Sequence, residues 1–518
     1  MNPSTTLSEV LIEETCESRE RVEGSRAAHR RVVYAAYSAM LAASIALWFL
    51  PIRAALDTDE TGSYWQIAAG FSRIWPRQLV SLEFPAYYYV LWLWTRLIGT
   101  SEMALRTLSV LAMLGSVYLL FRTARELFGR ESAFLAAIIF CLEPAVFFAS
   151  IDVRPYAFGV LAINSALFIL LRLRQNDSNW LAALLGLSAA CIVWFHFLLG
   201  AVVPALAAGL FVVKAGGRRT AWRQFAVATA VFTLALLPTV PALLYLFRTR
   251  ASHVCEGAPN LARLVSALAP GWLLPIFLCV ALAALLVSTF SARQHGPERS
   301  VDRWKILLCA SLALIPALIL YSVSVTTAMH VFTLRYRLAW APGIALCWGL
   351  IFSRFRRQAV RMLGCISLLA VFGLVCVSSS DSWQHQVSWK NVLEAAEKNA
   401  ATGNAPVLIC SAFVESDFEA MPLESPKTSR LFAPLAYYPV SVPVVPVPRD
   451  FNAQTVKVAS LFLERVTPKH ERFLALEPFG SHRTLEWIEQ TTSQTYTFRK
   501  LWDRDGFVLM EFLPRAAS

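Results

Sequence analysis

Carboxylate, arginine, tyrosine and histidine side chains occur beside several of the long apolar runs in this chain. A carboxylate can deprotonate a hydroxyl group, and a guanidinium group can bind a phosphate and stabilise it as a leaving group. Transfer of a group from a phosphate carrier requires both kinds of side chain. The candidate residues of these types are Asp59, Glu60, Asp152, Arg154, Tyr156, His196, His330, Arg335, Tyr336 and Arg337.

These residues also have structural interpretations, which the sequence leaves open. Asp59 and Glu60 are compatible with charges in a solvated loop. Arg154 and Arg335 are compatible with anchors whose guanidinium groups reach lipid phosphates. His196 is compatible with a residue that caps a helix end. Arginine is scarce on the predicted external side of the protein, and this scarcity favours binding over anchoring.

The elements that must position these side chains are membrane-spanning helices. Of the 518 residues, 56% are hydrophobic and 16% are charged, compared with about 45 to 50% and about 25% in an average soluble domain. Several apolar runs approach the roughly 20 residues that cross a bilayer as a helix. The net charge of +12 comes largely from Lys and Arg in short loops, so it indicates membrane topology and not nucleic-acid binding. The ten cysteines include no CxxC pair, and they indicate neither a disulfide framework nor a zinc site.

The length of the apolar runs predicts about eleven transmembrane helices. They lie at 33–51, 103–121, 131–150, 155–172, 179–195, 197–213, 224–247, 269–290, 305–326, 337–353 and 360–379. The run at 85–99 has only fifteen residues and contains Arg96, so we predict a juxtamembrane or re-entrant helix there. With this choice, Lys and Arg of the short loops collect on one side, which the positive-inside rule makes cytoplasmic. The polar N-terminal segment 1–32 is then cytoplasmic, and the first loop, 52–102, is external.

The composition changes to mixed polar sequence after the last apolar run, which divides a transmembrane domain, 33–379, from a C-terminal domain, 380–518. Short β-like runs at 407–411, 473–476 and 507–512 and a helix-like run at 393–399 predict a small α/β domain. The proline-rich stretch 439–448 predicts an extended surface loop, because proline cannot donate to a central sheet ladder. An odd number of spans places this domain outside the cytoplasm.

Several segments occur in an order that resembles the GT-C membrane glycosyltransferases, in particular the bacterial branch related to protein mannosyltransferases and aminoarabinose transferases. The segments are DTDETGSYWQIA (57–68), SLEFPAYYYVLWLWTRLIGTSEMALRTLSV (81–110), FFASIDVRPYAFGVLAINS (147–165), WFHFLLG (194–200), VFTLRYRLAWAP (331–342) and SWKNVLEAA (388–396). The resemblance covers nearly the whole chain and rests on pattern and order.

The resemblance implies an inverting transfer of one sugar from a polyprenyl-phosphate carrier to an acceptor on the external side. It implies that Asp59 is the general base or the carboxylate that orients the acceptor, that Asp152 is a second acid, and that Glu60 either shares this role or supports the loop. The positions that match carrier-phosphate and sugar contacts are Arg154, Tyr156, Arg335 and Tyr336, and His196 matches a histidine that recurs in the external hairpin. His330 and Arg337 are further substrate-binding candidates beside the late Arg-Tyr pair.

One departure from the family pattern concerns the phosphate. Aminoarabinose transferases tend to carry a lysine just before the proline of the first-loop motif, where this chain has Glu83, Phe84 and Pro85. The phosphate-binding role therefore falls to Arg154, Arg335 or Arg337, and the sequence does not indicate aminoarabinose as the sugar.

The sequence thus predicts an all-α polytopic membrane bundle of GT-C type, with external juxtamembrane helices and a small extracytoplasmic α/β domain, in the bacterial plasma membrane. It predicts a glycosyltransferase that takes a hexose or pentose from a polyprenyl-phosphate donor and passes it to a glycolipid, polysaccharide or protein acceptor. No cofactor or metal site is predicted, although some relatives bind a divalent cation. The alternatives are a transporter or flippase of lipid-linked sugars and a structural partner in envelope assembly. Transporters often have pseudo-symmetric halves with broken helices, and the sequence shows no such halves.

Overall fold

The structure, a computed structural model, describes residues 7–81, 84–214, 217–249, 257–268, 302–353, 358–378, 388–401, 404–478 and 482–515. Its N-terminal part is helical. The helices are α1 (Leu7–Ala46), α2 (Thr58–Ala68), α3 (Phe71–Ser81), α4 (Ala86–Ile98), α5 (Glu102–Phe128), α6 (Arg130–Cys141), α7 (Pro144–Ile151), α8 (Tyr156–Gln175), α9 (Asn179–Phe195), α10 (Val203–Val213), α11 (Arg218–Leu236), α12 (Val240–Thr249), α13 (Leu261–Leu268), α14 (Arg303–Thr326), α15 (Ala341–Ser353) and α16 (Gln358–Ser378). Short 3-10 helices at Phe197–Val202 and Leu334–Ala339 precede α10 and α15.

Apolar side chains from these helices form one continuous core. α8 packs between α5 and α9, α9 packs on α11, and α6 packs between α5 and α15. Small residues allow the closest approaches: a Cβ added at Gly186 of α9 would lie 2.2 Å from the backbone carbonyl oxygen of Ala228 in α11. Helix association in lipid depends on such close packing, because lipid is as apolar as the helix surfaces.

Most of the predicted spans coincide with helices. Within the described residues, six helices have the length and hydropathy of a complete span, namely Ala28–Phe49, Glu102–Phe128, Tyr156–Gln175, Arg219–Leu244, Arg303–Thr326 and Gln358–Ser378. The α6–α7 pair passes the same test but bends by 69° at its break, where Glu143 precedes a proline that begins α7. Asn179–Phe195, Phe197–Val213 and Ala341–Ile351 are shorter apolar helices. The predicted span at 269–290 lies outside the described residues, and the total of eleven stays a prediction.

The C-terminal part is a five-stranded sheet covered by helices. The strands are β1 (Val407–Cys410), β2 (Val444–Val447), β3 (Phe473–Pro478), β4 (Tyr496–Arg504) and β5 (Phe507–Pro514), in the spatial order β2-β1-β3-β5-β4. β2, β1 and β3 are parallel, whereas β5 pairs antiparallel with both β3 and β4. The helices are α17 (Trp389–Ala401), α18 (Ala433–Tyr437), α19 (Ala453–Val466) and α20 (Arg483–Thr492). Two separate apolar clusters, one containing Ile409 and the other Leu408, lie against this sheet.

The predicted α/β fold of this domain is therefore confirmed, with one correction. The stretch 439–448 is not entirely a loop, because β2 occupies Val444–Val447 and Pro446 pairs with Ile409. β2 is an edge strand, and proline is tolerated in an edge strand because its missing N–H can face away from the ladder.

Candidate functional site

The site is organised around the first turn of α2, which a reciprocal capping box begins. The Glu60 N–H donates to Asp57 Oδ1 over 2.7 Å, and the Asp57 N–H donates to Glu60 Oε2 over 3.0 Å. A carboxylate at the N-cap and a glutamate three residues later satisfy backbone donors that a helix start otherwise leaves unpaired. The same turn exposes the intervening Asp59 on the other side.

A buried ion pair fixes this turn to the membrane helices. Arg106 of α5 donates from Nε to Glu60 Oε1 over 2.9 Å and from Nη2 to Glu60 Oε2. The Val153 N–H also donates to Glu60 Oε1, over 3.1 Å. The Arg106 guanidinium additionally donates to backbone carbonyls of the preceding loop, including that of Ala55 at 3.0 Å. Glu60 therefore ties together α2, α5 and the turn after α7, and its oxygens are occupied by these donors.

Arg106 was missed by the sequence analysis, although a signal was present. The residue lies inside a predicted span, and an ionisable residue at such a place has a functional or structural partner by default. The contacts of Glu60 favour its supporting role over the catalytic one.

Two predicted arginines converge on Asp59. Arg335 Nη1 donates to Asp59 Oδ2 over 3.0 Å, and Arg154 Nη1 lies 3.9 Å from Asp59 Oδ1. Arg335 Nη1 also lies 3.5 Å from the hydroxyl oxygen of Tyr156. Burial raises the pKa of Asp59, but the guanidinium groups of Arg154 and Arg335 outweigh burial and leave this pKa below its ordinary value. Asp59 is therefore ionised and paired with these two arginines.

A cavity of about 410 Å³ adjoins this ion-pair cluster. By side-chain type its lining divides into polar residues, named the polar wall, and apolar residues, named the apolar wall, which include the half-exposed Phe148. The polar wall contains Asp57, Glu60, Arg106, Asp152, Tyr156, Thr333 and Arg335, and the apolar wall contains Pro51, Ala54, Ala55, Ala145, Phe148, Ala149, Ile151, Leu334 and Leu338. The cavity can hold a charged group beside an apolar chain.

Two carboxyl groups on the polar wall, those of Asp57 and Asp152, lie in surroundings that disfavour their negative charge. Asp152 Oδ1 is buried and has no hydrogen-bond partner in the described part of the chain. Burial, followed by the charges of Asp57 and Glu60, raises the pKa of Asp152 well above its ordinary value. Burial, followed by the charges of Glu60 and Asp59, raises the pKa of Asp57 to about 7. Strongly perturbed carboxyl groups beside a cavity are typical of functional sites. The sequence analysis did not single out Asp57, which differs from an ordinary capping residue only through its burial.

Aromatic side chains pack beside His196, one of the predicted site residues. The His196 ring lies 5.0 Å from the Tyr156 ring and 5.3 Å from the Tyr336 ring, measured between centroids. Burial, followed by the positive charges of Arg154 and Arg335, lowers the pKa of His196 to about 3. His196 is therefore neutral and is brought to the same site as Tyr156 and Arg335.

Six of the predicted residues do not line the cavity. Four of them, Asp59, Arg154, His196 and Tyr336, belong to the cluster around Arg335 and Tyr156, whereas Arg337 and His330 make other contacts. Arg337 Nη2 forms a buried ion pair with Glu143, 3.1 Å away, at the break between α6 and α7. His330 Nδ1 lies 2.9 Å from the backbone carbonyl oxygen of Ser324. These contacts favour a structural role for both residues, and the substrate-binding role predicted for them stays a prediction. Glu83 lies outside the described residues.

No arrangement of metal ligands is found among the described residues, where no group of three or more His, Cys, Asp or Glu side chains could hold an ion. The acidic residues that line the cavity share its lining with Arg106 and Arg335.

Comparison with known proteins gives one family match and several structures of similar fold. Residues 83–245 match the family model described as dolichyl-phosphate-mannose-protein mannosyltransferase. No curated protein matches the sequence. The crystal structure of ArnT from Cupriavidus metallidurans bound to undecaprenyl phosphate is similar with a TM-score of 0.53 and 12% identity, over 92% of this chain and 97% of ArnT. The apo structure of the same protein gives a TM-score of 0.52 at 12% identity, over 94% and 98%. At this identity the similarity concerns the fold, and the GT-C type of fold predicted from the sequence is confirmed.

Proposed function

We propose that this chain, a multi-pass protein with the GT-C fold, is an inverting glycosyltransferase that moves one sugar from a polyprenyl-phosphate carrier to an acceptor hydroxyl. The observation that carries this proposal is the cavity that Arg335 and the carboxyl groups of Asp57 and Asp152 line together with apolar side chains. The family match at 83–245 and the shared fold support the same conclusion. Undecaprenyl phosphate, which is bound in the ArnT structure, is a carrier of the proposed chemical class.

The two walls of the cavity suit the two parts of such a donor. Phe148, Ile151, Leu334 and Leu338 present apolar surface, which an isoprenoid tail covers favourably. Arg335 supplies a guanidinium group, and this group binds phosphate oxygens through paired, charge-assisted hydrogen bonds. The donor phosphate is thereby held at the polar wall with its tail toward the lipid.

Donor binding also changes the state of Asp59. In the empty site, Arg335 and Arg154 face the carboxylate of Asp59 and weaken it as a base. Phosphate oxygens compete for the same guanidinium groups, and their negative charge raises the pKa of a neighbouring carboxyl group. Asp59 then becomes more basic when the donor is present.

The reaction follows from this arrangement. Asp59 takes the proton of the acceptor hydroxyl, whose oxygen forms a bond to the anomeric carbon from the face opposite the phosphate. The bond from the anomeric carbon to the phosphate oxygen breaks, and its electron pair leaves with the polyprenyl phosphate. Arg335 and Arg154 stabilise that charge. Burial raises the pKa of Asp152 and so favours its protonated form, and in that form Asp152 donates a hydrogen bond to the sugar or to the departing oxygen. Tyr156, His196 and Tyr336 contact the sugar.

We further propose that the site faces the outside of a bacterial plasma membrane and that segment 1–32 is cytoplasmic. Helix α5 begins beside the site at Glu102 and ends near Arg125, a length of about 40 Å for its 27 residues. α8 likewise begins at Tyr156 in the site and ends with Arg172 and Arg174. The arginine-rich ends lie opposite the site, as the positive-inside rule requires. Reporter fusions at residue 1 and residue 518 test the orientation, which is wrong if the C-terminal reporter is cytoplasmic.

Transfer of radiolabelled sugar in reconstituted vesicles tests the proposed activity. Wild-type protein is expected to convert polyprenyl-phosphate sugar and acceptor into glycosylated acceptor, whereas a flippase moves the donor without consuming it. Asp59→Asn should lower kcat by about 10² to 10⁴, the usual contribution of a general base. Asp503→Asn is the matched control, because Asp503 is an exposed aspartate paired with Lys500 over 2.7 Å, far along the chain in β4. Wild-type turnover by Asp59→Asn eliminates Asp59 as the base.

A further inference from the structure

The C-terminal domain holds the residues on both sides of Asp57. The Leu56 N–H donates to the hydroxyl oxygen of Tyr438 over 2.8 Å. Trp389 Nε1–H donates to the hydroxyl oxygen of Thr58 over 2.9 Å. These two residues directly precede and follow the N-cap of α2. Two separate parts of the C-terminal domain therefore reach the same turn.

Both groups that hold the turn are themselves fixed by packing. Trp389 is only 2% exposed, and its ring lies edge-on to Phe507 with centroids 4.8 Å apart. The Tyr438 ring packs edge-on to Tyr437, with centroids 4.7 Å apart, and its hydroxyl lies 3.4 Å from Glu102 Oε1. A side chain whose rotamer is fixed by packing holds its hydrogen-bond partner in place more accurately than a mobile side chain does.

The rest of α2 continues the contact with the C-terminal domain. Trp65 Nε1–H donates to the Thr428 carbonyl oxygen over 2.8 Å, and the ring of Tyr64 packs edge-on to Tyr437 at 4.8 Å. Gly62 lets the helix lie close to Phe413, since a Cβ there would be 3.5 Å from the Phe413 ring. α2 thus lies between two supports: Arg106 on the membrane side and the C-terminal domain on the other.

We propose that Trp389 and Tyr438 are positioning residues for the sugar transfer, which set the place of the carboxyl groups of Asp57 and Asp59 by holding the first turn of α2. This inference rests on the proposed function and gives the C-terminal domain a part in catalysis. Their hydrogen bonds to this turn are made to Leu56 and Thr58 and not to a carboxyl group of the site, so both are positioning residues. Their effect passes through Leu56 and Thr58 to the carboxylates.

The physical reason is that catalysis is more sensitive to geometry than folding is. A displacement of about 1 Å at a reacting group can lower a rate by about 10²-fold. A single hydrogen bond at the domain contact contributes only a small part of the stability of the fold. Removing one bond should therefore leave the fold intact and let the acidic turn move.

Conservative substitutions separate positioning from general stability. Tyr438→Phe removes the acceptor for the Leu56 N–H and keeps the ring, and Trp389→Phe removes the donor to Thr58. Tyr437→Phe is the matched control, because this neighbouring hydroxyl donates to the Thr100 carbonyl oxygen, 2.7 Å away, and not to the turn. We expect Tyr438→Phe and Trp389→Phe each to lower kcat by tenfold to hundredfold with the donor KM changed less than about twofold. Tyr437→Phe should keep both constants.

Amide hydrogen exchange provides a readout that needs no activity. In Tyr438→Phe protein without substrate, amides in peptides that cover 51–61 should exchange about tenfold faster, since one hydrogen bond is lost. The control should exchange as the wild type does. Melting temperatures verify that the variants are folded, and the nearly isosteric Tyr438→Phe keeps the test valid if Trp389→Phe is unstable.

The results distinguish the two proposals. If wild-type protein transfers sugar and both variants keep its kcat, the positioning role is wrong even if exchange accelerates. A rise in donor KM at constant kcat also overturns it, because that pattern indicates lost binding. Wild-type protein that transfers no sugar from any polyprenyl-phosphate donor refutes the proposed function itself, and the exchange data then decide only whether the domain holds the turn.

Discussion

Replacement of Glu60 by glutamine tests the central support of the site. Glu60 accepts hydrogen bonds from Arg106, from Val153 and from the Asp57 backbone. Glutamine has nearly the same shape, but it is neutral and its amide group presents N–H donors to the guanidinium group. Removal of one partner from a buried ion pair costs about 3 to 5 kcal/mol. Arg106 keeps backbone carbonyl partners such as Ala55, so we expect the lower part of that range.

A loss of about 3 kcal/mol corresponds to a fall in melting temperature of roughly 6 to 12 °C, at about 2 to 4 °C per kcal/mol for a large domain. It can be measured by thermal denaturation of the purified protein in detergent. Turnover should fall as well, because Glu60 also holds the Asp57 N–H and the Val153 N–H. Asp503→Asn is the control, since Asp503 and its partner Lys500 are both more than half exposed, and an exposed pair contributes little to stability. A Glu60→Gln protein that melts with the wild type refutes the view that this ion pair supports the site.

Three further predictions concern the cavity. Arg335→Gln should raise the donor KM by about tenfold to hundredfold, as expected for loss of a charge-assisted hydrogen bond to phosphate, and an unchanged KM in initial-rate assays eliminates Arg335 as the phosphate ligand. Because the pKa of Asp57 is raised to about 7, the folded protein keeps a proton that the unfolded chain loses near pH 4, so the melting temperature should fall as pH rises through 7. Asp57→Asn, which still caps the helix, should weaken that dependence, and an identical pH dependence in the variant contradicts the assignment. His196→Phe should leave the shape of the pH–rate profile unchanged, because the pKa of His196 is lowered to about 3 and the ring is neutral at higher pH. A shift of the acidic limb in the variant would show that the histidine titrates in the working range.

Much of the membrane architecture could be predicted from the sequence because hydropathy is a local property. The apolar runs at 103–121 and 155–172 became α5 and α8 with small changes at their ends. The bend between α6 and α7 was not predicted, because both halves are equally apolar and only Glu143 and the following proline mark the break.

The candidate site could be predicted from the sequence only in part. Residue type and order along the chain selected Asp59, Asp152, Arg154, Tyr156, His196, Arg335 and Tyr336, which the structure brings together. The same reasoning also selected Arg337 and His330, because a sequence cannot show whether a side chain turns toward a cavity or toward a structural partner. It missed Arg106 and Trp389, whose partners are 46 and 331 residues away along the chain.

The sequence by itself determined that the chain enters a membrane, where its helices lie, and which segments carry acids and arginines. These properties follow from side-chain polarity and spacing, which each segment has before it packs. Only the tertiary structure decided that Glu60 supports the turn while Asp59 meets two arginines, and that Asp57 and Asp152 are buried beside a cavity. Adjacent residues on one helical turn point in different directions, so their roles depend on the distant segments that pack around them.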